Sequence, residues 1–259
     1  MKTIQNTILI TGGTSGIGLE LAVQLQALGN TVIITGRDQS KLERIKRDHP
    51  CLHVVASDVS DSQAISSLYE RVIREFPSLN ILINNAGIMR KINLQDKGAD
   101  LKDISREIET NLMGPIRMSK QFLPHLKAQP EAAIVNVSSG LAFSPFPISP
   151  IYSAAKAGLH AFTTALRVQL KNTNVKVIEL APPSTNTALN DAFDAVDLKG
   201  ISMLDAGKVA KDFIKGLKNN RSEILPGFSK VIRIGSRIAP NLMVKAASGS
   251  VNVMLGQTK

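Results

Sequence analysis

The chain holds a single cysteine, Cys51, so no internal disulfide can staple it. A lone thiol suits a reducing compartment, and its place at the head of an apolar run predicts an inert, buried side chain. The sequence also lacks any cluster of Cys, His and acidic residues at metal-ligand spacing, so no metal is expected. No run of about 18 apolar residues occurs, so no transmembrane segment is expected. The first apolar run, 7–10, is cut off by Gly12 and Gly13 and is too short for a signal-peptide core, so a cytoplasmic protein is expected. Aromatics amount to only 4%, and the Lys and Arg behind the net charge of +10 are scattered. That pattern reads as a solvated basic surface, with no nucleic acid among the expected partners.

What is present is ordinary for a globular enzyme-sized chain: 259 residues, 43% hydrophobic and 20% charged, enough to bury a sizeable core. Apolar, β-branched runs at 7–11, 31–35, 52–56, 80–83, 132–137, 175–180 and 223–225 alternate with amphipathic stretches. Those stretches cover 16–28, 38–48, 61–75, 101–127, 154–171 and 205–218. Apolar strands alternating with helices predict an α/β fold, a parallel sheet covered on both faces. Right-handed crossovers make it doubly wound. No repeat or linker divides it, so one domain over 1–259 is expected.

The first strand runs into Thr11-Gly12-Gly13-Thr14-Ser15-Gly16-Ile17-Gly18 and then a helix. Glycines permit a tight turn and let backbone amides approach a pyrophosphate at the positive end of the helix. Gly12, Thr14, Ser15, Gly16, Ile17 and Gly18 are therefore candidate cofactor contacts.

The second strand ends Gly36-Arg37. An acidic residue there would bind ribose hydroxyls, whereas a guanidinium suits a 2′-phosphate. Arg37 thus favours NADP over NAD, although Asp38 supplies a carboxylate that serves equally well as a helix cap. Asp58, with Val59, follows the third strand and either borders the adenine or caps the next helix. Asn84-Asn85-Ala86-Gly87 follows the fourth, where small residues allow close approach to a cofactor. Asn111, with Gly114 and Pro115, interrupts the pattern 101–127 and predicts a kink, an exposed Asn being the alternative.

Tyr152 and Lys156 are four apart at the head of a helical stretch and so share a face. A neighbouring ammonium stabilises phenolate, so the Tyr152 pKa is expected to fall from about 10 toward neutrality. Such a phenol can give or take a proton. Ser139 follows the run 132–137, at the strand end where open α/β sheets bind ligands.

Taken together, the glycine turn 11–18, Asn84 to Gly87, Asn111, Ser139 and Tyr152-x-x-x-Lys156 resemble the short-chain dehydrogenases/reductases over residues 7 to about 187. Residues 130–145 and 179–183 also resemble the DltE-type members. The resemblance implies a Rossmann-like sheet of about seven strands in the order 3-2-1-4-5-6-7 and a homodimer or homotetramer. It implies an oxidoreductase interconverting a carbonyl and an alcohol by hydride transfer. Tyr152 would be the general acid/base, and Lys156 would hold the nicotinamide ribose and lower the Tyr152 pKa. Ser139, rather than Ser138, would bind the substrate oxygen, while Asn111 would hold a water in a proton relay. Asn85, Ala86 and Gly87 would line the cofactor. Where relatives carry Pro-Gly after the sixth strand, this chain has Pro182-Pro183, which leaves Thr187 as the candidate for the nicotinamide amide.

Two mainly apolar segments, 141–151 and a lid at 187–204, should wall the pocket, so an apolar small-molecule substrate is expected. The tail 228–259 lacks the family's usual glycine-rich finish. Lys230, Arg233 and Arg237 fall at helical spacing with Val231, Ile234 and Ile238 beside them. That tail could cover the core, meet a partner subunit or lie on an anionic membrane. Two alternatives to catalysis remain open at this stage: a non-catalytic NADP-binding sensor, and a membrane-surface module built on the tail.

Overall fold

The computed structural model describes residues 1–98, 100–246 and 248–256. Seven parallel strands form one sheet: β1 (Thr7–Thr11), β2 (Thr31–Gly36), β3 (His53–Ala56), β4 (Leu79–Asn84), β5 (Ala132–Val137), β6 (Val175–Leu180) and β7 (Glu223–Ile224). Their order is β3-β2-β1-β4-β5-β6-β7, the Rossmann-like arrangement expected. The chain reverses direction across the sheet between β1 and β4, which opens a crevice at the strand ends.

Side chains alternate between the two faces of each strand, so both faces need a cover. On one face Ile8, Ile10, Val32 and Ile34 pack on Leu21 and Leu25 of α1 (Gly16–Ala27). Val209 and Phe213 of α8 (Ala206–Lys218) join them. On the other, Leu9, Ile33, Leu82 and Ile134 meet α3 (Ser62–Glu75), α6 (Gly114–Ala128) and α7 (Pro150–Gln169). Burial of a side chain such as Phe122 or Phe213 contributes about 1.5–3 kcal/mol. Asp38 caps α2 (Gln39–Asp48), accepting from the Lys41 amide at 3.1 Å. Asp61 caps α3 and Asp205 caps α8 in the same way.

Three local expectations are corrected. Cys51 is exposed, because it occupies the turn before β3 and only Leu52 behind it turns inward. The stretch 101–127 is not one helix. It breaks into α4 (Leu101–Ile104), α5 (Arg106–Ile108), a π-helical turn over Glu109–Met113, and α6. The helix expected from 154 begins at Pro150, where a proline costs no hydrogen bond because first-turn amides have no helical acceptor.

Beyond β7 the chain ends in α9 (Ser229–Ile238), α10 (Pro240–Ala246) and α11 (Gly249–Met254). Val251 and Met254 of α11 pack on a small cluster of Phe146, Ile148 and Phe193. The expected tail thus covers part of the protein, while its last residues, 257–259, lie outside the described residues.

Candidate active site

A cavity of about 1150 Å³ occupies the crevice at the carboxyl ends of the strands. It gathers almost all the sequence candidates: Gly12, Thr14, Ser15, Ile17, Gly18, Arg37, Asp58, Val59, Asn85, Ala86, Gly87, Ser139, Tyr152, Lys156 and Thr187. Gly16 and Asn111 stand just behind its wall.

At one end lies the glycine turn. Gly12 has φ +66° and Gly16 φ +53°, conformations that L side chains rarely adopt. A Cβ at Gly12 would fall 2.7 Å from Ala86 Cα, so the turn and β4 are packed backbone on backbone. Thr11 Oγ1 accepts from the Asn85 and Ala86 amides at 3.0 and 3.1 Å. The Asn85 amide nitrogen donates to the Thr11 and Gly12 carbonyls, both at 3.0 Å. The Asn85 side chain is therefore spent on holding the turn. Ser15 heads α1 without a side-chain hydrogen bond, leaving the first-turn amides without a capping group beside the cavity.

Arg37 is half exposed at the end of β2, 3.5 Å from Asp58. Asp58 does not cap α3; it accepts from Ser60 N at 2.9 Å and Ser60 Oγ at 2.7 Å. Burial works against its charge, but the Ser60 hydrogen bonds and Arg37 outweigh it and hold the carboxyl below the usual range. Lys41 stands beside Arg37 on the cavity wall. The sequence reading passed over Lys41, although its place one helical turn beyond Arg37 was a usable signal.

At the other end, Tyr152 and Lys156 meet as their spacing predicts: the Lys156 ammonium lies 5.6 Å from the Tyr152 ring centroid. Their electrostatics differ from expectation. Burial pushes the Tyr152 phenol up to about 12; the Ser139 hydroxyl opposes this, and Glu107 adds to it. Burial also brings Lys156 down to about 8. The expected fall in the Tyr152 pKa is thus corrected. Nζ donates to the Val137 carbonyl at 2.8 Å and lies over the ring, and burial discourages the cation itself.

Ser139 accepts from the Leu141 amide at 3.1 Å, and its hydroxyl is also within hydrogen-bonding reach of the Tyr152 phenol. Ser138 instead donates to buried Glu179 at 2.5 Å. Asn111 is fully buried in the π-helical turn, not exposed. It accepts from Ile88 N at 2.9 Å and donates to Ile88 O at 2.8 Å, pinning the backbone after β4. A Cβ at Gly87 would stand 3.1 Å from Asn111 Oδ1 and 3.8 Å from Lys156 Nζ. Gly87 is therefore the gap through which those groups share one space.

The rest of the wall is largely apolar. Leu141, Pro145 and Phe146 come from one expected segment, and Leu189, Leu198 and Ile201 from the other. Ile232, Met243 and Val253 come from the C-terminal helices, which the sequence reading did not assign to the pocket. The apolar side that the sequence marks on α9, Val231, Ile234 and Ile238, is exposed, and Ile232 beside it turns inward instead. Pro182 and Pro183 both line the cavity, and the Pro182 carbonyl accepts from the Gly140 amide at 2.8 Å. Lys91 reaches across to the 187–204 segment and binds Asp197 at 2.8 and 3.0 Å.

Sheet order, glycine turn and crevice define a Rossmann-like protein. The family model described as "short chain dehydrogenase" matches residues 6–196. The chain is 45% identical to "Uncharacterized oxidoreductase DltE" of Bacillus subtilis (strain 168), with 86% of this chain and 89% of that one covered. A short chain dehydrogenase from Burkholderia cenocepacia J2315 in complex with NADP superposes with a TM-score of 0.81 at 22% identity, covering 95% of this chain and 99% of that one. A 3-ketoacyl-(acyl-carrier-protein) reductase from Brucella melitensis complexed with NADH gives 0.77 at 26%, covering 88% and 100%. The chain belongs to the short-chain dehydrogenase/reductase family of NAD(P)-dependent oxidoreductases.

Proposed function

We propose that the chain reduces an apolar carbonyl compound to the alcohol with NADPH, Tyr152 acting as the acid. The observation that carries this reading is the convergence of Ser139, Tyr152 and Lys156 on one cavity with the glycine turn. The uncapped first-turn amides of α1 fit a pyrophosphate. Arg37 and Lys41 offer two cations where a 2′-phosphate would lie, and Gly36 offers no carboxylate. The bound NADPH supplies the hydride.

The chain's own groups do the rest. Ser139 donates to the substrate oxygen and fixes its position. Tyr152 delivers the proton to that oxygen as negative charge develops on it. A phenol held protonated by burial rests in the state that the reductive direction requires. Lys156, whose Nζ is held against the Val137 carbonyl and over the Tyr152 ring, would hold the nicotinamide ribose beside Tyr152. Asn111, through Ile88, keeps the backbone beside Lys156 in place. Thr187 touches the turn at Gly16 and borders the nicotinamide end.

The Burkholderia cenocepacia relative binds NADP and the Brucella melitensis reductase binds NADH, so the neighbours support a nicotinamide cofactor, and the choice of NADPH rests on Arg37 and Lys41. The chain works as one domain, with residues 187–204 as a lid over an apolar substrate, and pairs as a homo-oligomer in the cytoplasm. Tyr152→Phe tests the mechanism: NADPH oxidation against a panel of apolar ketones and aldehydes falls by about 10²–10⁴-fold while NADPH affinity stays near wild type. Undiminished turnover in that variant sinks the mechanism.

A further inference from the structure

We propose that the C-terminal helices dock this protein on the surface of an anionic lipid bilayer. The proposal concerns the outer face of α9 and α10, which the catalytic reading leaves unused. With about 3.6 residues per turn, α9 divides cleanly into two sides. Ser229, Ile232, Arg233 and Ser236 point toward the body of the protein. Ile232 reaches Gly140 beside the cavity, and Arg233 pairs with Glu223 and lies 5.6 Å from the Phe143 ring centroid. The other side carries Phe228 (63% exposed), Val231 (63%), Ile234 (49%) and Ile238 (79%), and α10 continues it with Leu242 (67%). Phe228 to Ile238 follow one another at three- and four-residue steps, so on α9 they form a single stripe, and Leu242 stands exposed on the next helix beyond the break at Ala239.

Charge selects the occupant. Lys230 and Arg237 lie along one border of the stripe, and Lys245 follows on α10; all three are exposed. None of the three forms an ion pair among the described residues. From Phe228 to Lys259 the sequence contains no Asp or Glu. The nearest acid, Glu223, is already engaged by Arg233 and Arg167. A two-fold pairing of this face would press the cations against their own copies with no acid to neutralise them. A nucleic acid would satisfy the cations but leave the aliphatic stripe in water. An anionic bilayer satisfies both, with acyl chains for the stripe and phosphates for the border.

The geometry also gives the docking a use. The inner faces of the same two helices supply Ile232 and Met243 to the cavity wall, and α11 adds Val253. Docking would therefore hold an apolar pocket about one helix diameter from the lipid.

The test is cosedimentation of the full chain with vesicles of phosphatidylcholine alone and of phosphatidylcholine mixed with phosphatidylglycerol. Wild type is expected to pellet with the mixed vesicles, less so at high salt, and not with phosphatidylcholine alone. Val231→Asp/Ile238→Asp and, separately, Lys230→Gln/Arg237→Gln/Lys245→Gln should each weaken partitioning by roughly tenfold or more. NADPH binding should persist in both variants, since none of these side chains lines the cavity. The glutamine variant carries the test even where the aspartate pair perturbs folding. Wild type staying in the supernatant with both vesicle types overturns the proposal, as does equal binding to both. So does a wild type that ignores vesicles but loses an oligomer, by light scattering, when Val231 and Ile238 are changed; the face would then be a subunit contact.

Discussion

The two ends of the cavity are built differently. The glycine-turn end is stitched from backbone and short polar side chains: Thr11 and Asn85 bind the glycine turn to β4, and no side chain fits at Gly12. The end beside Tyr152 is roofed by pieces from three distant parts of the chain, 141–146, 187–204 and the C-terminal helices. It is held by apolar contact, by the Lys91–Asp197 pair and by local hydrogen bonds, among them Ile92 N to Ile148 O at 2.9 Å and the bridge of Thr185 to Leu204. One end tolerates almost no change; the other can be re-tailored without disturbing the first.

Gly12→Val is the most severe way to break that contrast. It forces a β-branched residue into positive φ and into Ala86, and should cost about 3 kcal/mol or more. A thermal unfolding scan and NADPH titration should both show the loss. A stable variant with normal cofactor affinity would mean the turn is less tightly built than described.

Lys156→Met separates stability from function. The group's pKa falls from 10.5 unfolded to about 8 folded, so the buried charge is penalised in full below about pH 8. Between those values the unfolded state binds more protons, and wild-type stability rises with pH. Removing the charge should therefore raise stability near neutral pH by roughly 1–2 kcal/mol, less than the full shift because the bond to Val137 is also lost. Turnover should collapse at the same time. The melting-temperature gain should shrink from about pH 7 to about pH 9.5; a gain that grows instead reverses the sign of the argument.

Arg37→Ala should lower NADPH affinity by roughly tenfold and leave NADH affinity nearly unchanged, as isothermal titration of each cofactor would show. Equal losses for both would remove the 2′-phosphate from the reading. Lys91→Met is the gentlest probe. It should speed proteolysis within 187–204 and raise KM a few-fold, with cofactor affinity unmoved, because the pair ties the roof and touches nothing at the glycine-turn end.

The same division explains what could be read beforehand. The runs 7–11, 132–137 and 175–180 became β1, β5 and β6 residue for residue, since strands covered on both faces are mostly apolar and β-branched. Ser139, Tyr152 and Lys156, marked by motifs whose spacing is local or tied to a strand end, do line one cavity. The proton balance of Tyr152 was misjudged, because spacing records a neighbour's charge but not the depth of burial. Cys51 was misjudged for a related reason: a run's first residue can still belong to the turn. The roof was hidden because a helix's own pattern carries no address for its buried side.

The π-helical turn at Glu109–Met113 has one last consequence, for how this gene can vary. It spends one residue more than a regular turn, and that surplus delivers Asn111 to Ile88. Loss of a single codon there would heal the helix into ordinary α geometry. It would also swing the segment on one side by about 100°, carrying the amide off its target. Point changes can accumulate around the turn over generations, whereas one-codon deletions inside it should be purged.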